Sequence, residues 1–176
     1  MFDERKLRII VNNIPYKPLK ILDIFSGDCR YSKWIQTHYE VELITAIDKK
    51  KHDSIWCDMV NFKQIEIDCN TDVKELSIDI GINTYNVILM FDSLEHTPCY
   101  GKLIELAKRC ITIDGVVIGS TIGIPLDKID DAIYRDPEHL HLFTQAFIIR
   151  LFKKYGFENV RVSQDHEIIF FTASVM

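Results

Sequence analysis

Short apolar runs alternate along the chain with stretches of helical periodicity, and this alternation is the feature that most constrains the fold. Four runs are apolar throughout, as strands covered on both faces are, and the third alternates as an edge strand does. The runs are Leu19–Phe25, Val41–Ile47, Phe62–Ile67, Asn86–Phe91 and Val116–Ile122. Between them, Asp28–His38 and Tyr100–Ile111 each place apolar side chains on one face. This rhythm predicts a doubly wound, Rossmann-like α/β fold with right-handed crossovers.

The C-terminal third departs from this rhythm. Thr144 is expected to cap a helix that ends at Gly156. Two strands, Glu158–Ser163 and Ile168–Val175, then follow with only four polar residues between them. So short a connection allows only an antiparallel hairpin, so one strand of an otherwise parallel sheet runs antiparallel. At the other end of the chain, Glu4–Ile14 has the pattern of a short amphipathic helix packed outside the sheet.

Composition and length narrow the class of protein. A chain of 176 residues suits one domain, with a helix in residues 1–18 and the Rossmann-like core in residues 19–176. The net charge of −5 makes nucleic-acid binding an unlikely function, and no apolar run approaches the ~20 residues of a membrane span. The charged N-terminus lacks the apolar core of a signal peptide, so a cytoplasmic location is expected.

The five cysteines are widely spaced and form no C-x-x-C pair, which is unlike a disulfide framework or a structural zinc site. Free cysteine behaves as a small hydrophobic residue, so reduced and mostly buried thiols are expected. The cysteines are Cys29, Cys57, Cys69, Cys99 and Cys110.

Acidic side chains mark the ends of three successive strands. The first strand carries Asp23 and turns at Ser26-Gly27-Asp28 into a helix, an arrangement that brings nucleotide-like ligands to a helix N-terminus. Asp48 ends the second strand, where a carboxylate can accept both ribose hydroxyls, and Asp68 follows the third, where it can meet an adenine amino group. A single strand-end aspartate is often only a cap or turn residue. Three of them converge on one sheet edge, which predicts a cofactor cleft there.

In their order and spacing these motifs resemble the class I S-adenosylmethionine-dependent methyltransferases, in particular the group that includes ubiquinone and menaquinone biosynthesis methyltransferases. The resemblance covers about residues 19–176 and rests on four segments: Ile-Leu-Asp-Ile-Phe-Ser-Gly-Asp, Ala-Ile-Asp-Lys, Ile-Asp-Cys-Asn and Tyr-Asn-Val-Ile-Leu-Met-Phe-Asp-Ser-Leu-Glu-His-Thr. It implies S-adenosylmethionine as cofactor and methyl transfer to an O, N or C acceptor. It also implies a seven-stranded sheet of order 3-2-1-4-5-7-6 with strand 7 antiparallel.

The resemblance also implies a role for individual residues. Residues of the first loop line the methionine end of the cofactor, those after the second strand bind the ribose, those after the third lie at the adenine, and those after the fourth flank the sulfonium. The expected cofactor-binding residues are Asp23, Phe25, Ser26, Gly27, Asp48, Lys49, Asp68, Cys69, Phe91 and Asp92.

The first loop departs from the family pattern, Asp-x-Gly-x-Gly-x-Gly. Its glycine positions hold Phe25, Gly27 and Cys29. Glycine allows positive φ and keeps bulk away from a ligand, whereas Phe25 can enter the space of the methionine moiety. A Phe at this position does resemble motif I of the DNA cytosine-5 methyltransferases, which bind the same cofactor.

The replacement of glycine by Phe25 and Cys29 also leaves an alternative function open. In this alternative the chain is a non-catalytic, methyltransferase-like partner or scaffold protein with impaired cofactor binding. A nicotinamide-dependent oxidoreductase is disfavoured by the Glu95-His96 ending and the terminal hairpin.

Methyl transfer depends mainly on alignment, so the sequence need not contain a catalytic acid or base. If the acceptor is a hydroxyl, His96 is the first candidate base and His141, with His139, the next. A metal held by His139, His141 and a nearby acid, Asp136 or Glu138, is a minor alternative, and no metal is expected.

The loops that could cover an acceptor are short. Residues 1–18 precede the first strand, and Pro125–Glu138 is the one notable insertion. Short loops indicate an open site, as in enzymes that act on large or carrier-bound acceptors. The oligomeric state and the acceptor itself are left open.

Overall fold

Seven strands form one mixed sheet in the computed structural model, which describes residues 2–53, 55–58, 60–124 and 138–175. Their order is β3-β2-β1-β4-β5-β7-β6, and β7 runs antiparallel to both of its neighbours. The strands are β1 (Leu19–Ile24), β2 (Val41–Asp48), β3 (Asn61–Gln64), β4 (Tyr85–Phe91), β5 (Ile111–Ile122), β6 (Asn159–Asp165) and β7 (Ile168–Ser174). The predicted Rossmann-like order, with its antiparallel C-terminal strand, is confirmed.

Six helices are described around this sheet. They are α1 (Glu4–Asn13), α2 (Arg30–His38), α3 (Ile55–Asp58), α4 (Val73–Ile80), α5 (Tyr100–Cys110) and α6 (Gln145–Lys154). The Thr144 hydroxyl accepts a hydrogen bond from the Phe147 N–H and begins α6, and Gly156 follows the helix with φ of +82°, as the sequence predicted. Asp3 and Asp72 cap α1 and α4 in the same way.

Each face of the sheet is covered by a separate apolar core, which explains the continuous apolar runs. Alternate residues of β4 point to opposite faces: Ile88 and Met90 join one core, while Val87 and Leu89 join the other. The first core also contains buried side chains of α4, α5 and α6. The second contains Ile10 of α1 and Ile35 of α2. Every residue of β4 is buried, since it lies near the middle of the sheet with helices on both sides.

The third strand is shorter than predicted. It ends at Gln64, so residues 65–67, which the alternation assigned to the strand, lie in the connection to α4. The reason is the length of its partner, because Gln64 pairs with Asp48, the last residue of β2. The Ile65 N–H still donates to the Asp48 carbonyl, and beyond this bond no neighbouring strand remains to pair with. In contrast, β5 begins earlier than predicted, at Ile111 rather than Val116.

The prediction of reduced thiols is wrong for two cysteines. Cys69, after β3, and Cys99, at the start of α5, are joined in a disulfide with their Cα atoms 5.3 Å apart. Spacing could not reveal this pair, since 30 residues separate its members and the contact forms only when the two loops meet in the fold. Cys29 and Cys110 keep buried thiols, and burial raises the pKa of the Cys110 thiol to about 12.

Two further points concern length. Of the predicted insertion, Pro125–Glu138, only Glu138 falls within the described residues. In the described part of the chain, no helix has both the length and the apolar character needed to cross a membrane.

Close packing at Gly119 in β5 yields a stability prediction. A Cβ atom there would lie 2.3 Å from the Met90 carbonyl oxygen and 2.5 Å from the Phe171 ring. We expect Gly119→Ala to lower the free energy of unfolding by roughly 2–4 kcal/mol, because the strands on both sides would have to shift. Urea denaturation measures the change. Gly156→Ala is the control: there the nearest atom is 3.4 Å away, so only positive-φ strain of about 1 kcal/mol is added. Equal losses in the two variants would contradict the packing argument.

Candidate functional site

A cavity of about 350 Å³ opens at the carboxyl ends of β1, β2 and β4, within the range of small-molecule sites. Eight of the ten predicted cofactor-binding residues line it: Asp23, Phe25, Ser26, Gly27, Asp48, Lys49, Phe91 and Asp92. The other lining residues are Lys6, Asp28, Arg30, Tyr31, His52, His96 and Glu138. The sheet edge that the sequence singled out therefore does carry a cavity.

The loop after β1 keeps the backbone of a glycine-rich loop without its glycines. Phe25, Gly27 and Cys29, the three positions that hold glycine in the family pattern, have φ of 57°, 54° and 61°. In the left-handed region a residue with a Cβ atom is strained by roughly 1–2 kcal/mol. Hydrogen bonds hold the turn in place: the Phe25 N–H donates to the Ile47 carbonyl and the Gly27 N–H to Asp48 Oδ2, at 2.8 and 2.9 Å.

Gly27 faces open space within this loop. A Cβ atom built on it would meet no heavy atom within 4 Å, and the residue lines the cavity. The Phe25 ring also lines the cavity, while it packs against the apolar core beneath the loop. The Cys29 side chain is fully buried beside Ala46. The two larger side chains are thus anchored in the protein, and the one remaining glycine lies where a ligand can approach the backbone.

Two carboxylates lie under the loop in different environments. Asp48 is buried and accepts hydrogen bonds from the backbone N–H groups of Gly27 and Lys50, which ties the end of β2 to the loop. Asp23 is 5% exposed, and its burial raises the pKa of this carboxyl to about 7, helped by the charges of Asp48 and Asp28. A cationic group bound in the cavity would favour the ionised form of Asp23.

The far end of the cavity contains an ion pair between the N-terminal helix and the residue that follows β4. Lys6 of α1 pairs through its ammonium with Asp92 Oδ2, and Asp92 Oδ1 accepts a hydrogen bond from the Ser120 hydroxyl at 2.8 Å. The Lys6 side chain is only 9% exposed. Its Nζ lies 5.7 and 5.8 Å from the ring centroids of Tyr31 and Phe91, within cation–π range. Asp92 itself adopts φ of 50°, a second strained backbone position at the cavity.

Of the two histidines predicted as catalytic, the structure brings only His96 to the cavity. His96 Nδ1 lies 3.1 Å from the Glu138 carbonyl oxygen, and its ring is 5.0 Å from that of His139. If Nδ1 carries the proton and donates it to this carbonyl, Nε2 keeps a lone pair and can accept a proton. His141 does not line the cavity; its ring packs edge-on against Tyr100, with centroids 4.9 Å apart.

The two residues predicted at the adenine are also absent from the cavity lining. Asp68 Oδ1 accepts hydrogen bonds from the Asn70 N–H and the Thr71 hydroxyl, at 2.8 and 3.1 Å. These bonds lower the pKa of the exposed Asp68 carboxyl and make it a turn residue of its own loop. Cys69 is engaged in the disulfide with Cys99. The early end of β3 explains the displacement, because Asp68 lies four residues beyond the strand end.

Sequence reasoning missed the part of the site that comes from α1. Lys6 lies one helical turn before Ile10, on the buried face of the helix, and a lysine on such a face is a detectable signal. Tyr31, within the predicted helix Asp28–His38, also lines the cavity and contacts Phe91, with ring centroids 4.9 Å apart. For His52 the sequence contains no pattern that indicates a place at the cavity, because the residue follows three lysines in a connection without periodicity.

Within the described ranges, no group of three or more His, Cys, Asp or Glu side chains is arranged to hold a metal ion. The alternative metal site included Asp136, which lies outside those ranges.

Comparison with known proteins assigns the family. A family described as "Methyltransferase domain" matches residues 11–162, most of the chain. No curated protein sequence matches the chain. The chain belongs to the methyltransferase-domain family, which confirms the resemblance to class I methyltransferases inferred from the motifs; the ubiquinone-type subgroup stays a prediction.

Solved methyltransferase structures share the fold at low sequence identity. Phosphoethanolamine N-methyltransferase 2 of Haemonchus contortus, in complex with S-adenosyl-L-methionine, has a TM-score of 0.76 and 13% identity over 98% of this chain and 52% of that chain. A methyltransferase of Archaeoglobus fulgidus has a TM-score of 0.71 and 14% identity, over 97% of this chain and 92% of that chain. A 1,6-didemethyltoxoflavin-N1-methyltransferase of Burkholderia thailandensis, with bound S-adenosylhomocysteine, has a TM-score of 0.69 and 16% identity, over 98% of this chain and 77% of that chain. The chain spans about half the length of the Haemonchus enzyme.

The raised pKa of Asp23 predicts how stability depends on pH. The pKa of Asp23 is 3.8 in an ordinary setting, as in the unfolded chain, and about 7 in the folded protein. Between these two pH values the folded protein holds a proton that the unfolded chain has released, so the free energy of unfolding falls as pH rises from about 4 to about 7. Asp23→Asn stays neutral throughout. We expect it to be more stable than the wild type at pH 8, by roughly 4 kcal/mol, and to converge with it near pH 4.

Urea denaturation of the ligand-free protein at several pH values measures this difference. Asp79→Asn, at an exposed position on α4, is the matched control and should leave the pH dependence unchanged. An Asp23→Asn variant less stable than the wild type at pH 8 would show that the carboxylate is stabilising in the folded protein.

Proposed function

We propose that the chain is an S-adenosylmethionine-dependent methyltransferase that binds its cofactor in this cavity and methylates an O, N or C acceptor. The observation that carries the proposal is the loop Phe25–Cys29. Its three left-handed residues, one of them a glycine that faces open space, lie over a buried carboxylate and form a cradle that the fold keeps despite its strain. Strained backbone of this kind clusters at ligand sites.

The residues present fit the polar groups of this cofactor. Its α-ammonium would lie near Asp23, whose buried carboxyl takes up a proton near neutral pH in the ligand-free protein and would be held ionised by a bound cation. Its ribose would lie at Asp48, whose carboxylate already accepts two N–H donors and retains lone pairs for hydroxyl groups. When bound, S-adenosylmethionine supplies an electrophilic methyl group on a sulfonium.

The Lys6–Asp92 pair supplies the charges at the far end of the cavity. We place the sulfonium there, beside Phe91 and Asp92, as the family resemblance implies. The Asp92 carboxylate favours a positive charge nearby, while the Lys6 ammonium opposes it. The hydrogen bond from Ser120 and the ion pair to Lys6 orient this carboxylate, so the protein need not reorganise when the ligand arrives.

For a hydroxyl acceptor we propose His96 as the base. Its ring lines the cavity, and the carbonyl of Glu138 can hold Nδ1 as the donor. Nε2 would then accept the proton as the acceptor oxygen attacks. His141 carries no part of this proposal, because it does not reach the cavity.

We further propose that the acceptor is large or carrier-bound. Within the described residues, the parts outside the strand-end loops that reach the cavity are α1 through Lys6, the first turn of α2 through Arg30 and Tyr31, and Glu138. An acceptor carried on a larger molecule can present its reactive atom to such a site without being enclosed.

Removing the Asp48 carboxylate tests the proposed cofactor site. We expect Asp48→Asn to weaken S-adenosylhomocysteine binding at least tenfold, because the amide cannot accept two hydroxyl groups while it also holds the loop. Isothermal titration calorimetry measures the affinity. Asp79→Asn removes a carboxylate from α4 and should bind as the wild type does. If the folded wild type binds neither S-adenosylmethionine nor S-adenosylhomocysteine at millimolar concentration, the non-catalytic scaffold function replaces this proposal.

The ion pair at Asp92 predicts discrimination between the charged cofactor and its neutral product. We expect Asp92→Asn to weaken S-adenosylmethionine binding roughly three- to tenfold relative to S-adenosylhomocysteine, and Lys6→Met to change the ratio in the opposite direction. Calorimetry with both ligands gives the ratio. Lys17→Met, which breaks the exposed Lys17–Asp114 pair, is the control and should leave it unchanged. Equal effects on both ligands would place the sulfonium away from Asp92.

A further inference from the structure

The segment after β3 is fastened to the start of α5 at three points. The Thr97 hydroxyl lies 3.5 Å from the Ile67 carbonyl oxygen, at the outer limit of a hydrogen bond. The Lys102 ammonium donates to the Thr71 carbonyl at 3.1 Å. Between these two contacts lies the disulfide of Cys69 and Cys99. These two contacts do not involve the cysteines, and they join the two segments on either side of the disulfide.

The two cysteines differ in accessibility. Cys69 lies in an exposed turn, whereas Cys99 is half-buried and is the N-cap residue of α5, an eleven-residue helix. An exposed sulfur is open to thiol–disulfide exchange, and exposed disulfides are those that respond to cellular redox conditions. The Cys99 N–H already donates to the Thr97 hydroxyl, which holds this residue in position beside the turn.

The pair adjoins the wall of the cavity. His96, which lines the cavity, is next to Thr97 in the chain and three residues before Cys99. The disulfide therefore closes a 30-residue loop, through α4 and β4, at the point where the chain leaves the cavity. Nothing in the methyl-transfer proposal uses this pair.

We propose that Cys69 and Cys99 are a reversible redox pair whose oxidation fixes the turn after β3 against α5 and rigidifies the cavity wall at His96. The oxidant is a low-molecular-weight disulfide such as oxidised glutathione. The Cys69 thiolate attacks one of its sulfurs and releases one glutathione thiolate. The Cys99 thiolate then attacks the Cys69 sulfur of this mixed disulfide, forms the intramolecular bond and releases the second glutathione thiolate. Two protein thiols and one glutathione disulfide become one protein disulfide and two glutathione thiols.

The first measurement is the redox titration of the folded, full-length protein. Protein is equilibrated at several ratios of reduced to oxidised glutathione, quenched with N-ethylmaleimide, and digested for mass spectrometry. We expect the Cys69–Cys99 cross-linked peptide to rise and fall reversibly with the ratio, and the melting temperature of the oxidised form to be higher by roughly 5–10 °C. A cross-link that never forms, or one that is reduced only after denaturation, would overturn the proposal.

The second measurement links the pair to the cavity, and in this readout the inference rests on the proposed function. We expect the oxidised protein to bind S-adenosylhomocysteine roughly three- to tenfold more tightly than the reduced protein, because ordering of the wall precedes binding. The double variant Cys69→Ser/Cys99→Ser, which forms neither the cross-link nor a mixed disulfide with glutathione, should match the reduced wild type at every glutathione ratio. Equal affinities of the two forms would refute an effect on the cavity. If neither form binds the ligand while the cross-link still titrates, the proposed function fails and the redox pair stands.

Discussion

The hydrogen bond from the Gly27 N–H to Asp48 Oδ2 is the contact on which the site depends. It joins the loop after β1 to the last residue of β2, and the neighbouring Phe25 and Ser26 N–H groups both donate to the Ile47 carbonyl. These bonds hold a turn whose left-handed residues would otherwise relax, since each non-glycine residue there is strained by roughly 1–2 kcal/mol. The parallel pairing of β1 with β2 supplies the rigid frame, and the cavity opens directly above it.

Charge in the cavity is divided between two ends. Asp23 and Asp48 lie under the loop, and burial together with mutual repulsion raises the pKa of Asp23 to about 7. At the other end Asp92 is balanced by Lys6, which reaches it from the N-terminal helix. An end rich in carboxylates and an end with a balanced ion pair suit a ligand that carries cationic and polar groups along its length. The N-terminal helix therefore contributes to the cavity through Lys6, a lysine on the buried face of its amphipathic pattern.

The apolar runs predicted the fold because strands buried on both faces appear in the sequence as continuous apolar segments, separated by segments of helical periodicity. All five runs became strands, three of them within one residue of the expected bounds, and the hairpin formed as expected. Residues that end a strand, such as Asp48 and Phe91, lie at the cavity where the sequence placed them. Asp68 does not line the cavity, because the length of β3 is set by its partner and local sequence does not report that length. The Cys69–Cys99 contact was likewise invisible, since it depends on two loops that meet only in the folded chain.

The missing glycines change how the loop conformation is maintained. A glycine adopts positive φ without strain, but it also has more conformations in the unfolded chain, which it loses on folding. Phe25 and Cys29 reach it only because their side chains are held, one packed against the core and the other fully buried beside Ala46. The packing of these side chains therefore maintains the positive φ that glycine would adopt freely, and the loop is ordered before any ligand binds. A loop built in this way binds its ligand with a smaller loss of conformational entropy, and its shape depends on the core packing beneath it.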